Sequence, residues 1–319
     1  MSVRLISRTQ IAELLPMGKA IELMRHAFAA HAAGQVVMPP RQRVETAEGD
    51  MLLKPAYLPG EGFCVKLVLT YPGNRAKGLP VVQGLMLVFD DATGTPRALI
   101  DAAELTAVRT GGGGGLAVDL LARRDCRSVV LIGAGVQGRK QLAAAMEVRS
   151  INQVFLFEPN DDVAEGLIED LRTATTGLRI IRVDDPDDGV AQADIVLTAT
   201  TSPIPTFNGS ALRPGTHINA VGAYQPDRRE LDERTMRQAY VVVDGRQAAG
   251  VEAGELAIPG ITADAELGEV VNGTKPGRLD DRQITLFKSV GMAVQDAFSA
   301  TFVVREAERL GIGMEVDLA

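Results

Sequence analysis

The sequence predicts an α/β protein in two parts: a parallel sheet with helices on both faces, and a sheet-rich part that the C-terminus completes. Three observations predict it. From Val129 to about Val243, apolar strands alternate with helices. From Val37 to about Leu99, short strands follow one another with only turns between them. A last apolar-patterned stretch then runs from Thr285 to Leu310. Strands alternating with helices need crossovers between parallel neighbours, and these lay helices on both sheet faces. The 319 residues suffice for two domains. The expected division is residues 1–118 with 294–319 for the sheet-rich domain, and 119–293 for the alternating one.

In order along the chain, Val3 to Ser7 reads as a strand. Thr9 is expected to cap a first helical turn. Pro16 opens the next helix, where its missing N–H costs nothing. Ala20, Leu23, Met24, Ala27 and Phe28 recur at helical spacing, and Gly34 ends that helix. Gly49-Asp50, Pro59-Gly60, Pro72-Gly73 and Thr93-Gly94 mark turns between strands. The segments VKLVLTY (65–71) and GLMLVFD (84–90) are apolar enough to be buried. Residues 101–125 are helical in character but hold the glycine run Gly111 to Gly115. Each glycine costs a helix about 1 kcal/mol relative to alanine. Close packing against a neighbouring element or a cofactor is the expected compensation. Strands are then expected at 128–132, 153–159, 179–185, 193–201, 216–223 and 240–245, with helices at 136–149 and 161–175. Residues 285–310 read as one long helical stretch interrupted by Gly291.

Composition narrows the function. The formal charge is −8, there is no Trp, and aromatics are 4% of the chain. That is poor material for neutralising phosphates or stacking bases, so nucleic acid is not an expected partner. The N-terminal residues lack a basic segment followed by an apolar core, and no stretch of about 18 apolar residues occurs. No membrane association is expected, and the cytoplasm is the expected location. Cys64 and Cys126 match no metal-binding spacing and are expected as reduced thiols. Metalloprotease, serine-hydrolase and paired-cysteine motifs are absent from the sequence, so no metal site is expected.

The informative motif is Gly133-Ala134-Gly135-Val136-Gln137-Gly138, which fits G-x-G-x-x-G after an apolar strand and before a helix. Gly133 allows the tight turn, Gly135 lets a pyrophosphate approach the backbone, and Gly138 lets helix and strand pack closely. The helix N-terminus supplies free N–H groups. Glu158 lies 25 residues after Gly133 at a strand end, near the position of an acid that binds the adenosine ribose. Asn160, Asp161 and Asp162 follow it with no cation among them. NAD(H) is therefore the expected cofactor, with NADP(H) disfavoured. Thr198, Ala199 and Thr200 follow another apolar strand and should face the same ligand. These features make the second domain a Rossmann dinucleotide-binding domain.

Candidate reactive groups are basic residues of the sheet-rich part. Arg41 follows Pro39-Pro40, Lys66 interrupts an apolar strand, and Arg109 precedes the glycines. A buried cation is costly unless it meets an anion. Beside a dinucleotide site, the three suggest a pocket for a substrate carboxylate. His26 and His31 lie on the first amphipathic helix and read as surface or packing residues. His217 opens a strand and could support the site.

Several segments resemble the ornithine cyclodeaminase/μ-crystallin family over nearly the whole chain. They are Gly78-Leu79-Pro80, Gly84, Phe89-Asp90, Thr93-Gly94, Leu105 to Thr110, Ile132 to Gln137, Gly215 to Gly222 and Phe287 to Gly291. The family includes ornithine and lysine cyclodeaminases, archaeal-type alanine dehydrogenase, ketimine and Δ1-pyrroline-2-carboxylate reductases, and μ-crystallin. The resemblance implies a homodimer with a Rossmann domain and a discontinuous substrate-binding and dimerisation domain. It assigns Arg41, Lys66 and Arg109 to substrate binding and polarisation. It places Thr110, Val221, Gly222, Val290 and Gly291 at the cofactor. Cyclodeaminases carry an Asp where this chain has Tyr224, and that Asp handles the substrate amine. Tyrosine, with a reference pKa of about 10, is a poor replacement base. Tyr224 is expected to shape the pocket instead, and the form Val221-Gly222-Ala223 through Arg229-Glu230-Leu231-Asp232 resembles the reductase branch.

The expected function is therefore NADH-dependent reduction of an α-imino acid, either a cyclic ketimine or the imine of a keto acid and an amine. The alternatives are ornithine cyclodeaminase and a μ-crystallin-like dinucleotide-binding protein with little catalysis. A small imino or keto acid and a second copy of the chain are the expected partners.

Overall fold

The computed structural model describes residues 2–318, the side chain of Arg75 excepted. It divides into two compact units, Met1–Arg109 with Met292–Ala319, and Thr110–Gly291. The boundaries expected from sequence, after 118 and before 294, lie inside helices.

The first unit starts with β1 (Ser2–Ile6), α1 (Arg8–Leu14) and α2 (Met17–Ala32). The strands β2 (Gln42–Glu45), β3 (Asp50–Leu58), β4 (Gly62–Thr70), β5 (Val82–Phe89) and β6 (Pro96–Asp101) follow, leading into α3 (Ala102–Leu121). Ser7, not Thr9, caps α1. The Ser7 backbone N–H donates to Gln10 Oε1 at 2.9 Å, whereas Thr9 stands inside the first turn. Serine wins because the residue three positions on can reach back to close the cap.

Between β7 (Ser128–Ile132) and β14 (Ile284–Lys288), the second unit alternates strands and helices. In order these are α4 (Val136–Val148), β8 (Gln153–Phe157), α5 (Asp161–Ala174), β9 (Arg179–Arg182), α6 (Pro186–Val190), β10 (Ile195–Thr198) and β11 (His217–Ala220). Then come α7 (Glu233–Gln238), β12 (Ala239–Val243), α8 (Arg246–Glu252), α9 (Gly254–Ala257), β13 (Ala265–Glu266) and α10 (Leu267–Val271). The chain ends in α11 (Ala293–Leu310) and β15 (Met314–Asp317), which return to the first unit.

The seven strands of the first unit are ordered β15-β1-β6-β5-β4-β3-β2. Their pairing is antiparallel except between β1 and β6. Side chains alternate across a strand, so register decides which residues share a face. Lys54 pairs with Lys66, Lys66 with Met86, and Met86 with Ile100. All four are buried, and α11 packs against β3 and β4. Leu53, Leu67 and Leu85 form the neighbouring cross-strand row, on the opposite face, and Leu85 is 47% exposed.

The eight strands of the second unit are all parallel, in the order β13-β12-β14-β11-β10-β7-β8-β9. Val130, Phe155, Val196 and Ile218 fill the core on one face, and Val129, Leu131, Val154 and Leu197 that on the other. The expectation of one helical stretch over 285–310 is corrected here. Residues 284–288 form β14, inserted between β11 and β12, and the helix starts only at Ala293. A parallel strand covered on both faces has no alternation of polar and apolar residues, so a short apolar run does not announce itself as a strand.

The five glycines stay helical inside α3. At Gly114 any side chain would overlap the Gln141 carboxamide. That carboxamide donates to the Thr110 carbonyl at 2.9 Å, and Asn219 Nδ2 donates to the Gly114 carbonyl at 3.0 Å. Helix α3 thus exchanges buried hydrogen bonds with α4 and β11 where the glycines lie. His217 closes this network through Thr285 and Asn219, with ring nitrogens 2.9 and 3.0 Å from their side-chain oxygens. Burial, reinforced by the Arg278 charge, pushes its pKa down to about 3, so His217 is a neutral packing residue.

Candidate functional site

In the first unit, four buried ionisable side chains converge. Asp296, fully buried on the first turn of α11, lies 2.7 Å from Lys66 Nζ and 3.8 Å from Lys54 Nζ. Arg109 Nε donates to its other oxygen at 2.7 Å. Arg109 also donates to Gln295 Oε1 at 3.3 Å, and Lys66 Nζ to Thr106 Oγ1 at 3.1 Å. Strand register puts the two lysines directly opposite each other on β3 and β4. Like charges opposed in this way repel.

The electrostatics follow from crowding. Burial, then the positive charges of Arg109 and Arg41, lower the Lys66 pKa to about 8 despite Asp296. Burial and the Lys66 charge hold Lys54 well below the ordinary lysine range. Burial works against the Asp296 carboxylate, but Arg109, Lys66 and Lys54 outweigh it and keep its pKa far below the ordinary carboxyl value. Arg41, half-buried, contributes its charge to both lysines. The structure thus brings Lys66 and Arg109 together, with Arg41 acting on Lys66 through its field. It adds two residues that sequence reasoning missed, Lys54 and Asp296.

In the second unit, β7 ends in the glycine turn. Gly133 has φ 92°, a left-handed conformation that favours glycine, and its Cβ position lies 2.8 Å from the Ala199 carbonyl. A side chain at Gly138 would overlap the Gly133 carbonyl, whereas Gly135 faces open space and caps α4. Val136 is 64% exposed beside it, and Gln137 is half-buried. Glu158, half-buried just beyond β8, accepts from the N–H of Ala134 at 2.8 Å and of Asn160 at 3.0 Å. Open backbone at the helix start and an acid at the next strand end fit a dinucleotide.

The other expected cofactor residues stand at the same carboxyl edge of the sheet. Thr198 is the last residue of β10, and Ala199 and Thr200 follow it. Val221 and Gly222 follow β11, and Val290 and Gly291 stand two and three residues past the end of β14. Asp244, fully buried, accepts from the N–H groups of Val290 and Gly291 and from Ser289 Oγ, which fixes that last turn. Thr110 is buried on α3, and Tyr224 is 37% exposed beyond β11. Arg182 also reaches the backbone of Glu158. Its guanidinium donates to the Glu158 carbonyl at 3.4 Å and to Asp161 at 2.7 Å. A cation therefore does stand near Glu158, brought there by the adjacent strand β9 rather than by the following loop.

A Rossmann-type parallel sheet joined to a discontinuous, sheet-rich unit carrying a buried cation cluster defines the class of protein. The chain belongs to the ornithine cyclodeaminase/mu-crystallin family, whose model matches residues 2–310. It is similar to the Thermococcus litoralis Δ1-pyrroline-2-carboxylate reductase solved in complex with NADH and L-proline. That similarity is 38% identity and a TM-score of 0.94, covering 98% of this chain and 100% of the other. An archaeal alanine dehydrogenase dimer with bound NAD gives 31% identity and a TM-score of 0.95 with full coverage of both chains. Ketimine reductase mu-crystallin of Mus musculus is 36% identical over 280 residues, 86% of this chain and 87% of its own. Among the described residues no helix is long and apolar enough to cross a membrane, and no group of His, Cys, Asp and Glu is placed to hold a metal ion.

Proposed function

We propose that this protein is an imine reductase that converts an α-imino acid to the amino acid at the expense of NADH. The observation that carries the reading is the buried cluster of Lys54, Lys66 and Arg109 around the Asp296 carboxylate. Such an excess of buried positive charge suits an anionic substrate. The protein is an enzyme of the NAD-dependent reductase and dehydrogenase class, and its cofactor is NAD(H). When bound, NADH supplies a hydride to the imine carbon.

The chain's own residues account for the rest of the chemistry. Arg109, oriented by Asp296 and Gln295, offers guanidinium N–H groups to the substrate carboxylate, with Arg41 adding charge. Holding substrate and cofactor in reacting geometry supplies much of the rate. The nitrogen must gain a proton as the carbon gains hydride, and Lys66 Nζ is the donor. With a pKa of about 8 it is mostly protonated at neutral pH and still acidic enough to give the proton up. Asp296 and Thr106 keep Nζ in place. At the cofactor, the glycine turn receives the pyrophosphate and Glu158 the adenosine ribose. Thr110 and the turns at Thr198–Thr200, Val221–Gly222 and Val290–Gly291 line it, with Val136 and Gln137. Tyr224, standing where cyclodeaminases have an Asp, shapes the substrate end.

The protein acts as a homodimer, for which the apolar row Leu53, Leu67 and Leu85 supplies surface that one copy leaves partly open. The two free, buried thiols suit the cytoplasm. The test is NADH oxidation with cyclic imino acids, and with pyruvate or glyoxylate plus ammonia or methylamine. Lys66→Ala should lower kcat by about 10²-fold or more. Lys66→Arg should not restore it, because a guanidinium stays protonated. Wild-type rates from either variant would remove Lys66 from the chemistry.

A further inference from the structure

The carboxyl edge of the parallel sheet holds a buried side chain that the chemistry above leaves unused. Glu230 is fully buried in the loop between β11 and α7. One of its oxygens accepts from the Thr200 N–H at 2.7 Å and from Thr200 Oγ1 at 2.9 Å. The other accepts from the Gly222 N–H at 2.7 Å and from Thr198 Oγ1 at 3.1 Å. A single carboxylate thus ties the turn after β10 to the turn after β11.

Glu230 is itself fixed. Its backbone N–H donates to Glu255 Oε1 at 2.9 Å, and that oxygen lies 3.1 Å from Lys288 Nζ. Lys288 in turn donates to the Ala223 carbonyl at 2.6 Å, one residue from Gly222. The connections therefore form a closed ring through Gly222, Glu230, Glu255, Lys288 and Ala223. Glu255 and Lys288 are fully buried as well. Gly222 has no room for a side chain here, since a Cβ would lie 2.6 Å from Glu230 Oε1 and overlap the Thr200 carbonyl.

We infer that Glu230 is a positioning residue that holds the two turns receiving the nicotinamide half of the cofactor. The inference rests on the functional reading above. Sheet order supports the assignment of halves. Glu158 lies beyond β8, on one side of the glycine turn of β7, while β10 and β11 lie on its other side. A dinucleotide laid across the carboxyl ends with its pyrophosphate at β7 and its adenosine ribose at Glu158 therefore runs its second half over β10 and β11. Glu230 touches neither cofactor nor substrate; it acts through Thr200 and Gly222.

The experiment compares NADH and ADP binding by titration calorimetry for wild type and Glu230→Gln. ADP probes the adenosine and pyrophosphate half alone. Glutamine matches the volume, but its NH2 group must face an N–H or hydroxyl donor on one side of the clamp, so one turn is released. The expected result is NADH binding weakened about tenfold or more, a change of about 1.4 kcal/mol, with ADP affinity within about twofold of wild type. The KM for NADH should rise in parallel. Equal weakening of NADH and ADP would mean a general structural role and overturn the inference, as would unchanged NADH binding. Should Glu230→Gln fail to fold, Glu230→Asp keeps the charge but draws the carboxylate back from the Thr200 and Gly222 N–H groups. It should weaken NADH and spare ADP, and an unaltered NADH affinity there would again overturn it. A wild type that binds ADP but neither binds nor oxidises NADH would refute the reductase reading instead.

Discussion

Asp296→Asn tests the electrostatic design of the buried cluster proposed to bind the substrate. The wild-type carboxylate meets Lys66 and Arg109 at 2.7 Å each and Lys54 at 3.8 Å, all out of solvent. At an effective dielectric of about 20, a unit pair at that shorter distance attracts by roughly 6 kcal/mol, much of it offset by the cost of desolvation. Removing one partner of a buried pair costs roughly 3–5 kcal/mol, because the remaining charges stay buried without compensation. Asparagine still offers Arg109 an oxygen, so the lower end applies, about 3 kcal/mol. At about 2–4 °C per kcal/mol, melting should fall by roughly 6–12 °C. The charge matters separately for Lys66. Asp296 raises the Lys66 pKa against burial, so its loss lowers that pKa below the wild-type value of about 8. Lys66 must be protonated to donate, so wild-type kcat/KM should decline above about pH 8. In Asp296→Asn the decline should begin at least about one unit lower, equivalent to about 1.4 kcal/mol. Scanning calorimetry and a pH profile of imine reduction read the two effects. Melting within about 1 °C of wild type together with an unmoved alkaline limb would mean that Asp296 neither balances the buried cations nor holds up the Lys66 pKa.

Other outcomes follow from single contacts. NADH should be preferred to NADPH by at least about tenfold, or 1.4 kcal/mol. Glu158→Ala should narrow that gap in kcat/KM, because Arg182 then stands as the nearby cation for a 2′-phosphate. Equal use of both cofactors by the wild type would show that Glu158 does not contact the ribose. Gly114→Ala would push a methyl group into the buried Gln141 carboxamide. Denaturant unfolding should register about 1–3 kcal/mol of lost stability, and no loss would mean that the glycine run is not a packing device. Light scattering at micromolar concentration should give a dimer that Leu85→Asp weakens, since Leu85 is already 47% exposed in one copy. A wild-type monomer would contradict the use of that sheet face.

The sequence made some of the site legible and hid the rest for physical reasons. The glycine turn is readable because Gly133 answers a left-handed backbone and Gly138 a close approach to the Gly133 carbonyl, while Gly135 leaves open space at the helix start. Lys66 stands out as a charge inside an apolar strand. Lys54, in the run Leu52-Leu53-Lys54-Pro55, carries the same signal and could have been found by it. Asp296 sits among the buried Ala293, Ala297 and Ala300 of α11, so a lone acid on an apolar helix stripe was its signal. Reading the start of that region as continuous helix obscured it, because β14 is covered on both faces and shows no alternation. Arg182 and Glu230 could not be placed from local pattern at all. Strand order sets their neighbours, β9 beside β8 and the turn after β10 beside that after β11.

Imine reduction, not cyclisation of a diamino acid, is the reaction proposed for this site, and one side-by-side assay separates the two. The protein is given Δ1-pyrroline-2-carboxylate with NADH in one reaction and L-ornithine with catalytic NAD+ in the other, and amino acid and ammonia are quantified. The expected result is stoichiometric NADH oxidation to proline in the first reaction, or with another imino acid of the panel, and no ammonia release in the second. Turnover of L-ornithine to proline and ammonia above about 1 s⁻¹, an ordinary enzymatic rate, would contradict it and show that Tyr224 can stand in for the cyclodeaminase Asp.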